Sequence, residues 1–258
     1  FGPDAGILIG GSNLLTANVL LEGCVVEDEI GVTVNQGSYA TLLNCRFVNC
    51  AIAAIHMVKG SRASVKHCSF RNCKEGVRSS PDDLEIENCC FQGGAMAIVV
   101  HGGGTARVVG CRAEGCDEYA VEVVGPQRTR LSIDKCVFTK CNRGIIANTG
   151  KVELSVSNTQ ITHNAVYGVC LFFNLQGSTT LDKCLVANNQ VQNFVNISSD
   201  ECTVTIDHVV QKNVSDDERM SHLDILGRDV LCESRAELNE FSERNNVKCS
   251  LKILRTLK

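Results

Sequence analysis

Apolar and polar residues alternate over short spans along most of the chain. Leu84-Glu85-Ile86-Glu87, Val152-Glu153-Leu154-Ser155-Val156 and Val204-Thr205-Ile206-Asp207 are examples. A period of two with β-branched residues favoured predicts strands. A second short strand follows each of these, as in Ile55-His56-Met57, Ile98-Val99-Val100, Val121-Glu122-Val123 and Val169-Cys170-Leu171. The alternation is punctuated by cysteines at a near-constant interval. In Leu42-Leu43-Asn44-Cys45-Arg46-Phe47-Val48-Asn49-Cys50 the first cysteine serves as an anchor, and the same unit returns at Cys24, Cys45, Cys68, Cys89, Cys111, Cys136, Thr159, Cys184 and Val209. These anchors lie 21, 23, 21, 22, 25, 23, 25 and 25 residues apart.

Three residues before the anchor stand Leu21, Leu42, Val65, Ile86, Val108, Ile133, Val156, Leu181 and Ile206, all apolar. Two after it stand Val26, Phe47, Phe70, Phe91, Ala113, Phe138, Ile161 and Val186, and only Gln211 breaks the run; anchoring the ninth copy at His208 would repair that position. Self-similarity at this period defines a stacked repeat protein. Helical repeats are longer and would show 3.6-residue spacing, and leucine-rich repeats need a leucine run in a fixed frame that these copies lack. Two or three short strands per 21 to 25 residues make one coil of a parallel β-helix.

On those residues the chain resembles the right-handed parallel β-helix repeat superfamily, the pectate-lyase-like group, over roughly residues 7 to 215. The resemblance implies an all-β, single-stranded right-handed solenoid of about nine to ten coils. Residues 1–215 are expected to form the β-helix, with residues 1 to 14 ending an earlier coil, and residues 216–258 a small α/β cap. In the cap, Ser234-Arg235-Ala236-Glu237 fits a capping box that opens a short helix. Val247, Cys249, Leu251 and Ile253 then alternate as a closing strand. Longer loops are expected at Ser79 to Asp83, Gly102 to Thr105, Gly125 to Arg130 and Phe172 to Ser178.

The sixteen cysteines change the picture of the compartment. Cys45/Cys50, Cys68/Cys73, Cys111/Cys116 and Cys136/Cys141 are C-x4-C pairs, a spacing open to disulfides or zinc. Thr, Asn, Gly and Val stand at equivalent positions, which a bridge or a ligand would not allow. The pairs therefore read as ladders of buried free thiols acting as small apolar fillers. Thiols in this number predict a reducing, cytoplasmic setting. The asparagines four after the anchor (Asn49, Asn72, Asn188, Asn213) suit left-handed turns.

Net charge is −4, which points to no nucleic-acid partner, and no apolar run approaches a membrane-crossing length. With no initiator methionine and no secretory signal, the chain reads as a piece of a longer protein or a processed chain. No cofactor or metal site is expected. Enzymes that resemble this superfamily carry catalytic carboxylate and basic sets that this sequence lacks on adjacent rungs. Asp82, Asp83, Asp117 and Glu118 are acidic neighbours in loops about two rungs apart, which an alternative reading as a polysaccharide lyase or glycoside hydrolase would use. In repeat style the chain is similar to the β-helix regions of F-box and Shc-binding-protein-like eukaryotic proteins, which implies a protein-interaction scaffold or substrate-recognition module. The residues two before the anchor point outward, and on the last rungs they include Asp134, Asp182 and Asp207. These three predict a face for a basic segment of a partner protein.

Overall fold

The computed structural model describes residues 5–10, 17–80, 82–172, 175–196, 202–207, 209–212, 222–225, 228–231 and 249–252. The chain cycles through three parallel sheets. Sheet A takes Ala5–Ile9, Ile30–Val34, Ala53–Met57 and every third strand after them; sheet B begins with Asn18–Glu22 and Tyr39–Leu43, and sheet C with Val25–Val26 and Arg46–Val48. Among the described residues the three sheets hold eleven, ten and nine strands, each hydrogen-bonded in parallel to the strand one coil away except Arg228–Leu231. No helix occurs among the described residues.

The register follows the repeat. The file three before the anchor runs unbroken along sheet B from Leu21 to Ile206. The file two after it runs along sheet C, and the pairing Leu185↔Val210, Val186↔Gln211 anchors the ninth coil at Val209 rather than His208. Both files face the core, where Phe47 and Phe70 stack at 5.0 Å and Phe70 and Phe91 at 4.5 Å.

The stack makes about eight turns, slightly fewer than expected. Ala5–Ile9 pairs in parallel with Ile30–Val34 as a strand of sheet A, the sheet that follows sheets B and C in each later coil. The connectors from sheet A to sheet B are also shorter than the expected loops. Leu175–Asp182 and Gly150–Ser157 pair along their whole length from Gly150↔Leu175 onward, and this draws the end of the Phe172 to Ser178 stretch into strand. The capping-box helix from Ser234 lies outside the described residues. Cys249–Lys252 forms a strand that adds in parallel to Cys202–Asp207, while His222–Ile225 and Arg228–Leu231 make an antiparallel pair at the end of sheet A.

Two single-residue corners turn each coil. The residue before the anchor is left-handed (Gly23, Asn44, His67, Asn88, Gly110, Lys135, Asn158 and Lys183), and so is the residue four after it (Asn49, Asn72, Gly93, Gly115, Lys140, His163 and Asn188). A non-glycine residue in this region costs on the order of 1 kcal/mol. Stacking offsets it, because each corner N–H finds a carbonyl on the next coil, as in Asn44 to Lys66 (3.1 Å), His67 to Glu87 (3.0 Å) and Lys135 to Ser157 (3.2 Å).

The thiols complete the first corner. The Cys89 thiol lies 3.5 Å from the Val65 carbonyl and 3.3 Å from the Glu87 carbonyl, and its sulfur accepts the Cys68 N–H at 3.4 Å. The pattern repeats at Cys111 and Cys136. Burial pushes the Cys45 and Cys184 thiols up to about 11, so both are protonated donors. Thr159 takes the same place with a hydroxyl that accepts from the Cys136 N–H at 3.3 Å and donates to the Ser157 carbonyl at 2.7 Å. The anchor thiols are thus hydrogen-bonding groups as well as fillers. The two members of a C-x4-C pair sit at different corners of the same coil, separated by a strand of sheet C. That is roughly 10–15 Å of chain, beyond the reach of a disulfide.

One file of sheet A, from Gly31 to Gly168, takes only glycine and alanine, and Asn193 ends the run. A side chain on Gly76 would meet the Phe91 ring at 2.6 Å and the Ala97 carbonyl at 2.5 Å; at Gly144 it would meet the Gly168 carbonyl at 2.3 Å. The requirement is steric, and Ala54, Ala97 and Ala120, all buried, satisfy the same file.

Candidate functional site: the outer faces of sheets A and B

Alternation turns every second residue of sheet B outward. Its last outward file runs Glu22, Leu43, Lys66, Glu87, Val109, Asp134, Ser157, Asp182, Asp207 in register. Asp182 and Asp207 are direct neighbours, and Ser157 separates them from Asp134. The Asp134 carboxylate accepts from Asn158 Nδ2 at 2.7 Å and Ser157 Oγ at 2.8 Å. The Asn158 bond, with help from Ser157, holds it below the ordinary aspartate value. Asp182 lies 3.5 Å from Lys183 Nζ.

Elsewhere on this face charges pair across rungs. Lys66 Nζ is 3.0 Å from both Glu85 and Glu87, Arg107 is 3.3 Å from Glu85, and Glu153 accepts from Arg130 Nε at 2.7 Å and from Arg128. Such exposed pairs contribute about 0–1 kcal/mol each. A shallow depression of about 350 Å³ lies among them, floored by Ser132, Ser155 and Thr180.

The outer face of sheet A is different. One outward file runs Thr33, His56, Arg78, Val99, Glu122, Ile146, Cys170, Val195. Ile146, Cys170 and Val195 are buried although they point away from the core, and Tyr119, Tyr167 and Phe172 pack on them. The Arg143 guanidinium stands 5.6 Å from the Tyr119 ring centre and 6.0 Å from that of Tyr167.

Toward the N-terminal end this face becomes ionisable. Glu75, only 6% exposed, receives Arg78 Nη1 on Oε1 at 3.2 Å, while its Oε2 is buried without a hydrogen-bond partner. Burial, against the pull of Arg78 and Lys74 and with some help from Glu118, pushes the Glu75 carboxyl above its ordinary value. Burial and Glu118 do the same to Glu122, against a 2.6 Å bond from Asn148 Nδ2. His56 and His101 are held below the ordinary histidine value, first by burial and then by the Arg78 charge. Groups perturbed by burial and by specific partners cluster at functional sites.

The four loop carboxylates do not form one set. Asp82 and Asp83 sit where sheet A passes to sheet B, with the Asp82 carbonyl accepting Thr105 N–H at 3.1 Å. Asp117 and Glu118 sit where sheet C passes to sheet A, bonded to Gly94 and Ala95 of the preceding coil at 2.8 and 2.9 Å. A sheet A strand of five residues, on the order of 16 Å, separates the two corners. Glu118 alone stands beside the buried glutamates. Sequence reasoning missed Glu75, Glu122, His56 and Arg78, whose signal was an ionisable residue inside an otherwise apolar second strand, as in Ile55-His56-Met57 and Val121-Glu122-Val123.

A chain wound as a single parallel coil with three sheets is a β-solenoid. The family model described as "Right handed beta helix region" matches residues 3–131 and 54–209, and the chain belongs to that family. No curated protein and no solved structure matches it.

Proposed function

We propose that this β-helix is an intracellular protein-interaction rod that docks a basic segment of a partner. The observation that carries the reading is the file of Asp134, Asp182 and Asp207 on the outer edge of sheet B, with two of the three on adjacent strands. The carboxylates, about 4.8 Å apart at Asp182 and Asp207 and about twice that between Asp182 and Asp134, present a negative edge to a complementary chain. The cytoplasmic setting belongs to the same proposal, supported by fourteen free thiols among the described residues. Binding of a fluorescent oligolysine peptide tests it. The parent should bind saturably, with affinity falling as salt rises, since exposed charges are screened over about 8 Å at physiological ionic strength. Asp134→Lys, Asp182→Lys and Asp207→Lys together should weaken it roughly tenfold or more while circular dichroism is unchanged. Undiminished binding by the folded triple variant would overturn the choice of this face.

A second reading, a carbohydrate-active enzyme, draws on Glu118 lying beside the buried Glu75 and Glu122. Depolymerisation of a polyuronide that disappears with Glu118→Gln would establish it and displace the rod.

A further inference from the structure

We propose that the outer face of sheet A holds a separate binding site for a guanidinium or ammonium group, presented by an extended segment of a partner protein. This rests on the protein-interaction reading but concerns a different face of the coil.

Among the described residues two buried polar atoms on this face have no partner, and they are of opposite kind. Glu75 Oε2 is an acceptor without a donor, and Arg143 Nε is a donor without an acceptor. Both lie in the file Glu75, Met96, Tyr119, Arg143, which runs along the coil axis. Buried polar groups are almost always satisfied, so two orphans in one file call for a ligand that supplies the missing partners. The acceptor end gathers three carboxylates, Glu75, Glu118 and Glu122, against the cations Arg78 and Lys74. Arg78 occupies only Oε1 of Glu75. A cation that delivers an N–H to Oε2 meets a desolvated carboxylate, where a charge-assisted bond is strong. A bare metal ion fits less well, because no group of three or more His, Cys, Asp or Glu among the described residues could hold one.

The donor end sets the rest of the ligand. Glu75 and Arg143 are three strands apart, roughly 14 Å. About four residues of extended peptide span that distance. A segment lying along the axis would place a basic side chain on Glu75 and a backbone carbonyl on Arg143. Met96 and Tyr119, which lie between Glu75 and Arg143 in the file, would supply apolar contact along the way.

The probes are an acetylated, amidated tetrapeptide with one arginine and the same peptide with citrulline, which keeps the shape and loses the charge. The Glu75 side-chain carboxyl carbon is followed by NMR in the parent, in Glu75→Gln and in the Asp134/Asp182/Asp207 triple lysine variant. The arginine peptide should move the Glu75 signal saturably and bind at least roughly tenfold more tightly than the citrulline peptide. Glu75→Gln should weaken binding by a similar factor, and the triple variant should leave it unchanged. Equal binding of the two peptides, or a Glu75 signal that does not move, overturns the proposal even if Glu75→Gln fails to fold. Binding lost only in the triple variant overturns it too while sustaining the sheet B reading. Binding of the arginine peptide here, with oligolysine insensitive to the triple variant, sustains this site and removes the other.

Discussion

Sheets A and B are built from the same repeat and share one core, yet their outer faces treat charge in opposite ways. On sheet B, Glu85 and Glu153 each serve two cations from neighbouring rungs, and every one of these side chains remains at least one third exposed. On sheet A, Glu75 is sunk to 8% side-chain exposure, keeps one oxygen unpartnered, and lies in the same sheet as the apolar patch of Ile146, Cys170 and Val195. The first arrangement keeps a strand face soluble at little energetic consequence. The second carries a standing electrostatic cost, and proteins that retain such a cost usually use the group. The contrast separates a charged surface from a candidate site within one repeating frame.

The largest effect should come from the support common to both faces. Phe70 is stacked between Phe47 and Phe91, so Phe70→Ala should cost roughly 3–5 kcal/mol in urea unfolding. A variant that unfolds with the parent would mean that the core does not hold the two faces together.

A smaller effect sharpens the contrast on sheet A. Because burial holds the Glu122 carboxyl above 4.5, the folded state retains a proton that the unfolded chain has released in the interval above that value. Stability therefore falls as pH rises through the interval, and charged Glu122 is a net cost at neutral pH. Glu122→Gln should be more stable than the parent at about pH 8, and the advantage should vanish below about pH 4, where both states are protonated. An advantage independent of pH, or a loss at pH 8, would show that burial does not burden this carboxylate.

The smallest effect belongs to sheet B. Lys66 holds the Glu85 carboxyl below its ordinary value, with Ser64 and Arg107 assisting, so its contribution is present above about pH 4.5 and is lost as pH falls. With Glu85 one third exposed, Glu85→Gln should cost at most about 1 kcal/mol at neutral pH, and added salt should erase the difference. A cost as large as that of Phe70→Ala would erase the distinction between the faces.

The core was legible because period-two alternation and the cysteine interval act together. Leu42, Val65 and Ile86 are apolar for the same reason that they stack, and the outward Asp182 and Asp207 follow from the same parity. The corner before the anchor was not legible at Lys135 and Lys183, since lysine has no intrinsic preference for the left-handed region. The stacked carbonyls impose it. The small-residue file escaped notice because Gly76, Ala97 and Ala120 lie eight or nine residues after their anchors, an offset that drifts from coil to coil. The Glu75 and Glu122 site joins residues 47 positions apart, and only the rise of the coil brings them into one neighbourhood. The hydrogen bonds of the thiols were hidden for another reason. Cysteine was expected to fill space, and the corner that needs its proton was not visible.

Thr159 gives the cysteine file a further meaning. A growing solenoid whose coils are interchangeable could thread one coil out of step and still bury every file. The anchor thiols from Cys45 to Cys136 are nearly equivalent in this respect, each meeting the same pair of carbonyls. Thr159 breaks the equivalence with a shorter, 2.7 Å bond to its own coil, and Asn164 and Asn189 continue the break with amide bonds of 2.8–3.1 Å where earlier coils carry Cys116 and Cys141. These departures act as addresses. They give the seventh and eighth coils hydrogen bonds that the earlier coils lack, so these coils are not interchangeable with their neighbours.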